Sequence, residues 1–63
     1  MIVELVDEAD ETIGKFQSPG APRRGEQVSY ADEQYVVEDV TWLIETRHDQ
    51  NVETVRIVVS SAT

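Results

Sequence analysis

Residues 25–42, GEQVSYADEQYVVEDVTW, contain the clearest structural signature of the chain. Val28 and Tyr30 alternate with polar neighbours, which is the two-residue period of a strand with one buried face. A tight polar turn over residues 31–33 follows, and the chain then runs through β-branched and aromatic residues to Trp42 and beyond. The pattern predicts a β-hairpin with a short strand ending at Tyr30 and a long strand after the turn.

The long strand is predicted over residues 34–46, QYVVEDVTWLIET. A helix over residues 40–48 is the alternative, because Val40, Leu43 and Ile44 have helical spacing. We favour the strand, since valine, threonine, tryptophan and isoleucine prefer a pleated surface and neither end of the alternative helix carries a strong cap. Such a strand has to bend sharply to wrap a small core. Counting by twos predicts one inward face, interrupted only by Glu38: Val36, Val40, Trp42 and Ile44.

The N-terminal part of the chain predicts two further strands. Residues 2–7, IVELVD, form the first, because the apolar run is short and mostly β-branched; a short amphipathic helix is the alternative. Residues 12–17, TIGKFQ, form the second, and Gly14 interrupts it. Ile13 and Phe16 cannot both face inward in a regular strand, so we predict a bulge at Gly14 that allows both to do so.

A loop rich in proline and glycine is predicted over residues 18–24, SPGAPRR. Pro19 and Gly20 suit the two central positions of a type II turn. Arg23 and Arg24 end the loop, and this is the one place in the sequence where two positive charges are adjacent.

The last strand is predicted over residues 52–60, VETVRIVVS, after a polar turn at residues 47–51. Five strands without a convincing helix predict a single domain over residues 1–63 with an all-β fold, either a small five-stranded SH3-like barrel or a strongly bent antiparallel meander. The acids are expected to face outward from a closed core. That core is predicted to contain Val28, Val36, Val40, Trp42 and Ile57.

Charge is the most informative bulk property of the chain. Thirteen acidic residues face five basic ones, for a net charge of -8, and the acids recur along the whole chain. Lys15 is the single lysine. Dispersed acid with scarce lysine is typical of proteins from salt-loving microbes, in which high salt screens the repulsion between carboxylates. The sequence therefore predicts adaptation to high salt, with an ordinary acidic protein from a mesophile as the alternative.

Composition also excludes several classes of site. The chain has no cysteine and one histidine, so disulfides and thiolate metal sites are excluded and a zinc site is not expected. We predict no metal and no cofactor. No apolar run approaches the roughly 20 residues of a membrane helix, and the N-terminus lacks the pattern of a secretory signal. A cytoplasmic protein without a membrane partner is expected.

The region from the loop to the long strand carries a spaced set of turn, β-branched and aromatic residues: Pro22, Arg23, Gly25, Val28, Tyr30, Tyr35, Val37, Val40 and Trp42. This set resembles the core pattern of short SH3-like barrel proteins, in which a Pro-x-x-Gly-type entry leads into a hairpin and an aromatic-bearing strand. With its acidity, the chain is similar to small acidic SH3-like β-barrel proteins of unknown function from haloarchaea, over residues 22–59. The resemblance implies a binding module and supplies no catalytic residues.

Catalysis is not predicted. His48 beside Asp49 could act as an oriented base, but the serines lie in no nucleophile motif, so an exposed turn histidine is the better interpretation. Glu38 and Asp39 could form an acid/base pair or a magnesium site, yet adjacent strand residues point to opposite faces. We predict instead that Glu38 lies at a bulge or a solvated edge.

The best binding candidates are Arg23 and Arg24 with Tyr30 and Tyr35. Arginines near exposed aromatic rings are typical of proteins that bind single-stranded nucleic acid. The net charge of -8 repels a polyanion, so nucleic acid is the alternative function. The structural alternative is that the loop arginines offset nearby acids and the tyrosines lie half in the core. The favoured prediction is a non-enzymatic module that binds a protein or forms a homodimer, through an aromatic groove or an exposed strand such as residues 52–59.

Overall fold

A computed structural model describes residues 1–47 and 50–62, with the side chains of 47, 50 and 51 left out of the description. Five strands form one strongly curled, half-barrel sheet, so the predicted all-β fold is confirmed. No helix in the described part of the chain has the length and apolarity needed to cross a lipid bilayer. The strands are β1 (Ile2–Val6), β2 (Thr12–Gln17), β3 (Gln27–Tyr30), β4 (Glu33–Arg47) and β5 (Gln50–Ser61).

The strand order in the sheet is β2-β1-β5-β4-β3. Neighbouring strands are antiparallel except for β1 and β5, which are parallel, so the sheet is mixed and not purely antiparallel. Because β5 lies between β1 and β4, the prediction that residues 52–59 form an exposed edge is wrong. Strand β5 is interior over Thr54–Val58, and β2 and β3 are the outer strands of the sheet.

The core occupies the concave face of the curled sheet and is aliphatic. Side chains from β1 and β5 alternate into it, as the two-residue period of each strand requires. Met1, Ile13, Phe16, Ala21, Val28, Tyr30, Tyr35 and Val40 pack around its margin. The fully buried cluster consists of Val3, Leu5, Val37, Val55, Ile57 and Val59, each at most 1% exposed.

A bulge at Glu38 sets which face of β4 is buried. Val37 pairs with Val59, whereas Asp39 pairs with Val58, so Glu38 has no partner of its own in β5. The predicted bulge is confirmed. The extra residue shifts the alternation, and for that reason Val37 is buried in place of Val36, which was wrongly predicted to face the core.

The bulge predicted in β2 is also confirmed. Leu5 pairs with Gly14 and Val6 pairs with Thr12, which leaves Ile13 as the extra residue. Ile13 and Phe16 consequently both pack against the core.

Tyr30 bridges the two outer strands of the half-barrel. Its ring lies 6.0 Å from that of Phe16, centroid to centroid, and its phenol lies over Gly14. A Cβ atom built on Gly14 would be only 2.5 Å from Tyr30 Cζ, so the absence of a side chain at this position makes room for the tyrosine. Side-chain packing thus connects β2 to β3 in place of strand pairing.

The convex face carries a row of charges across three strands. Glu4 of β1 pairs in register with Lys15 of β2 and Arg56 of β5. Its carboxylate lies 3.4 Å from Lys15 Nζ and 3.1 Å from Arg56 Nε. These contacts use two of the five basic residues of the chain.

Candidate interaction surface

The distal part of the β4–β5 hairpin extends beyond the rest of the sheet. Strand β3 pairs with β4 only as far as Val36, and β1 pairs with β5 only from Thr54 onward. Among the described residues, 44–47 of β4 and 50–53 of β5 pair only with each other, whereas 41–43 pair with residues of β5 that β1 flanks on the other side. We define residues 41–47 and 50–53 as the arm. The arm contributes to an elongated molecule of 43 × 23 × 19 Å.

The arm exposes four large apolar side chains. Trp42 is 51% exposed, Leu43 37%, Ile44 62% and Val52 45%. The prediction that Trp42 belongs to the core is therefore wrong. At this level β1 still flanks β5, because Val55, the partner of Trp42, pairs with Val3. On the other side, β3 pairs with β4 only as far as Val36, so among the described residues no strand covers the outer side of β4 at Trp42 and this inward-facing register position is open to solvent. Trp42 becomes a candidate contact residue.

The register divides these side chains between the two faces of the arm. Trp42 pairs with Val55 and Ile44 pairs with Glu53, which places both apolar residues on the continuation of the core face. Leu43 pairs with Thr54 and lies on the opposite face. Both faces of the arm are therefore partly apolar, an unusual condition for a two-stranded ribbon in water.

The loop of residues 18–26, which carries Arg23 and Arg24, is held beside the base of the arm through Gly25. This glycine has φ +90°, and the Glu26 N–H donates to the Arg23 carbonyl at 3.0 Å. A positive φ at the third residue of such a turn defines type II, with Arg24 and Gly25 at its centre. The type II turn predicted at Pro19 and Gly20 is wrong, because the only described glycine with positive φ is Gly25.

Two backbone hydrogen bonds hold this turn against β4. The Gly25 N–H donates to the Val37 carbonyl, and the Val37 N–H donates to the Glu26 carbonyl, each at 2.9 Å. The Glu26 carboxylate also accepts a hydrogen bond from the Arg23 N–H. The backbone that carries both arginines is thereby held close to the point where the arm begins.

Arg23 and Arg24 lie at an open hollow of about 560 Å³ together with Trp42, which we call the arginine hollow. Residues 20–24 form one wall, and Asp39, Val40 and Trp42 form the other. Both arginines are exposed, and among the described residues neither guanidinium forms an ion pair. The hollow therefore combines two unpaired positive charges with a half-exposed indole in a chain whose net charge is -8.

The two predicted tyrosines lie elsewhere. Tyr30 lines a second hollow, which residues 20–22 also line and where its ring packs near that of Phe16. Tyr35 lines a third hollow, beside Asp7 and Glu8. The structure thus brings Arg23 and Arg24 together with Trp42, and not with the tyrosines. Trp42 was predicted for the core and was therefore missed as a site residue. The sequence did carry a signal for it, because residues 40–44, VTWLI, are an uncharged segment between Asp39 and Glu45.

The acidic pair considered for catalysis does not converge. Glu38 Oε1 accepts a hydrogen bond from Ser60 Oγ at 2.6 Å, whereas Asp39 Oδ1 accepts one from its neighbour Val40 N–H at 3.0 Å. His48 and Asp49 lie outside the described residues. Within the described part, no group of three or more His, Cys, Asp or Glu residues is placed to hold a metal ion.

Comparison of the chain with protein-family models, curated proteins and solved structures found no match. Function is therefore inferred from the arm, the arginine hollow and the charge distribution. Of these, the arm is the feature whose outer β4 edge pairs with no other strand in the described part of the chain.

Proposed function

We propose that the chain is a small non-enzymatic interaction module of the cytoplasm, adapted to high salt, which binds a protein partner or a second copy of itself through the arm. The observation that carries this proposal is the exposure of Trp42, Leu43, Ile44 and Val52 on one two-stranded ribbon. Large apolar side chains clustered on a projecting element mark an association surface more often than they mark an ordinary monomer surface.

The shape of the arm supports a protein ligand. The outer side of β4 has no neighbouring strand beyond residues 36–37 among the described residues, so its backbone can accept an extended segment as an additional strand. Exposed Trp42 and Ile44 on the concave side would supply the side-chain contacts that give such pairing specificity. A ribbon of two strands is marginally stable alone, and a third strand would stabilise it.

The acidity supports activity in high salt. The thirteen acids are dispersed along the chain, and Glu4 is the carboxylate held between two cations across the sheet. Two copies with a net charge of -8 each, or this chain and another acidic protein, would repel each other in dilute buffer. At molar salt the Debye length falls to about 3 Å, and apolar contacts through the arm can then dominate.

The proposed function is tested by replacing apolar side chains of the arm. The double variant Trp42→Ser plus Ile44→Ser should abolish both self-association and capture of a protein from native lysate in molar potassium chloride. Ile2→Ser is the matched control, because Ile2 is exposed, at 38%, but lies outside the arm. If the wild-type chain is a monomer without a captured protein, or if the arm variant behaves like the control, the proposed function is wrong.

Single-stranded nucleic acid is the second candidate, favoured by Arg23 and Arg24, which line a hollow with Trp42 and form no ion pair with any side chain in the described part of the chain. The guanidinium groups would contact phosphates and the indole would stack on a base. The indole replaces Tyr30 and Tyr35 as the stacking ring, since those side chains lie in other hollows.

This second candidate can be tested through the single tryptophan of the chain. Titration with short RNA and DNA should quench Trp42 fluorescence, and Arg24→Glu should weaken that binding. Lys15→Glu is the control, because it makes the same change in charge at a lysine that lies beside Glu4. Equal effects of the two substitutions would show a response to net charge alone and would exclude the arginine hollow as a binding site.

A further inference from the structure

We infer that the outer edge of β4 in the arm pairs antiparallel with the same edge of a second copy, with Leu43 on the two-fold axis. This inference rests on the proposed function and names its partner. The proposed pairing joins the five-stranded sheets of the two copies into one continuous sheet. The inference is carried by three features of the arm: the direction of its backbone groups, the order of its charges and the positions of its apolar side chains.

The direction of the backbone groups follows from the bulge. Val37 directs both its N–H and its C=O toward the loop that ends at Glu26, away from β5. In a strand, the backbone N–H and C=O of every second residue point to the same edge. The extra residue at Glu38 shifts this pattern by one, so that the outward-pointing residues are odd-numbered up to Val37 and even-numbered after the bulge. The groups of Trp42 and Ile44 therefore point to the outer edge of β4.

A side-chain hydrogen bond at the base of the arm agrees with this direction. The Val40 N–H, which by the same alternation points outward, donates to Asp39 Oδ1 at 3.0 Å and not to a strand. A carboxylate that covers the first outward N–H is one way to end pairing at a strand edge. The outward groups of Trp42 and Ile44 lie beyond this point.

Pairing of two identical edges requires outward groups to face each other, which restricts the two-fold axis to a few positions. With the axis at Leu43, Asp39 stands opposite Arg47 of the second copy, and Thr41 stands opposite Glu45 of the second copy. An axis at Trp42 would place Asp39 opposite Glu45, where like charges repel. An axis at Ile44 would place Leu43 opposite Glu45 and leave Asp39 without a partner in the strand.

The same register pairs the apolar residues. Trp42 stands opposite Ile44 of the second copy, and symmetry repeats this pair. Aromatic and β-branched residues are among the favourable cross-strand pairs. Leu43 meets Leu43 on the other face. The segment of residues 39–47, DVTWLIETR, is thus complementary to itself in both charge and apolarity.

The register is tested by reversing the facing charges. Asp39→Arg and Arg47→Asp each place like charges opposite each other twice in a homodimer, so each alone should raise the dimer dissociation constant about tenfold or more. An equimolar mixture of the two variants restores opposite charges at both positions and should form a heterodimer with wild-type affinity. Sedimentation equilibrium gives the mass in potassium chloride raised stepwise to molar concentration, and the variants are compared at the lowest salt at which the wild type dimerises.

A cysteine at the axis provides an independent test, because the chain contains no cysteine. Leu43 meets its copy at a position where the two residues exchange no hydrogen bonds, with Cα atoms about 4.5 Å apart, which suits a disulfide. Leu43→Cys should therefore form a covalent dimer under mild oxidation. Thr41→Cys is the control, since residues 41 of the two copies lie on opposite sides of the axis and should remain reduced.

The outcomes separate this inference from the proposed function. A heterodimer from the mixture and a selective disulfide at Leu43 would support pairing through β4. A monomeric wild type, a mixture that stays monomeric, or equal oxidation of both cysteine variants would overturn it. If in that case Trp42→Ser plus Ile44→Ser still abolishes capture of another protein, the interaction function stands with a different partner. If these substitutions change neither property, both proposals fail.

Discussion

The body of the sheet, which is the part of the five strands outside the arm, and the arm differ in the burial of their apolar side chains, although both have the alternating apolar pattern of a strand. In the body, Ile57 is 0% exposed, whereas Ile44 in the arm is 62% exposed. Both side chains lie on the core face of the β4–β5 hairpin, where Ile57 pairs with Val40 and Ile44 pairs with Glu53. Ile57 lies in β5 where both β1 and β4 flank it, and Ile44 lies where the hairpin is alone.

The comparison teaches that alternation assigns a side chain to a face but not to a core. Burial requires a second layer or a curved neighbour on that face, and β1 supplies this only alongside Thr54–Val58. Where that support ends, the same alternation yields an exposed apolar ribbon, which is the property needed for association.

The largest expected effect comes from the same substitution in the two regions. Ile57→Ala should destabilise the fold by about 3–4 kcal/mol, because it leaves a cavity in the buried cluster, and could unfold a domain of this size. Ile44→Ala should change stability by about 0.5 kcal/mol or less, as exposed substitutions usually do. Urea unfolding followed by circular dichroism, at a concentration where the chain is monomeric, measures both. Equal losses of unfolding free energy in the two variants would show that Ile44 is as important to the folded state as Ile57, contrary to the difference in burial between arm and body.

The closure of the body by Tyr30 gives the next effect. Gly14→Ala should destabilise the chain by about 1–3 kcal/mol, since the added methyl group would overlap the Tyr30 ring and force it to move. Gly20→Ala is the control, because open space surrounds that position and its φ is ordinary. Thermal unfolding compares the two. A neutral Gly14→Ala would show that Tyr30 does not pack over this glycine in solution.

Salt should stabilise the body through its dispersed charge. Raising potassium chloride from low to molar concentration should increase the free energy of unfolding by about 1–2 kcal/mol, because screening reduces the repulsion among carboxylates. For a domain of this size, each kcal/mol raises the melting temperature by about 4–8 °C. A melting temperature that does not respond to salt would refute the proposed adaptation to high salt.

The smallest effect is expected at the turn between β3 and β4. Ala31 and Asp32 have φ of 51° and 68°, which defines a two-residue type I′ turn. Ala31→Asn plus Asp32→Gly should stabilise the body by about 1 kcal/mol, because these residues adopt positive φ more readily. Chemical denaturation measures the gain. A loss of stability would indicate that the turn has a different geometry in solution.

Local features of the sequence were sufficient to predict the strands and their irregularities. Strand β2 occupies Thr12–Gln17 as predicted, and β4 extends one residue beyond the predicted range at each end. Both bulges were predictable because Gly14 and Glu38 interrupt an otherwise regular alternation. The predicted binding pair, Arg23 and Arg24, is on the surface, as residues of a polar loop usually are.

Features that depend on distant strands could not be predicted from local sequence. The exposure of Trp42 depends on where β3 stops pairing with β4, and the interior position of β5 depends on a parallel pairing between the two ends of the chain. The position of Arg23 and Arg24 beside Trp42 follows from the hydrogen bonds that join Gly25 and Glu26 to Val37. None of these pairings leaves a periodic signal in the residues concerned.

Amide hydrogen exchange along the arm tests most directly whether its outer edge is open and available for pairing. In dilute solution, the Trp42 and Ile44 amides should exchange much faster than those of Thr41 and Leu43, which point toward β5. At high protein concentration, the Trp42 and Ile44 amides should become protected as second copies pair with them. Equal protection of all four amides in dilute solution, or rates that do not depend on concentration, would contradict an open edge that pairs with its own copy.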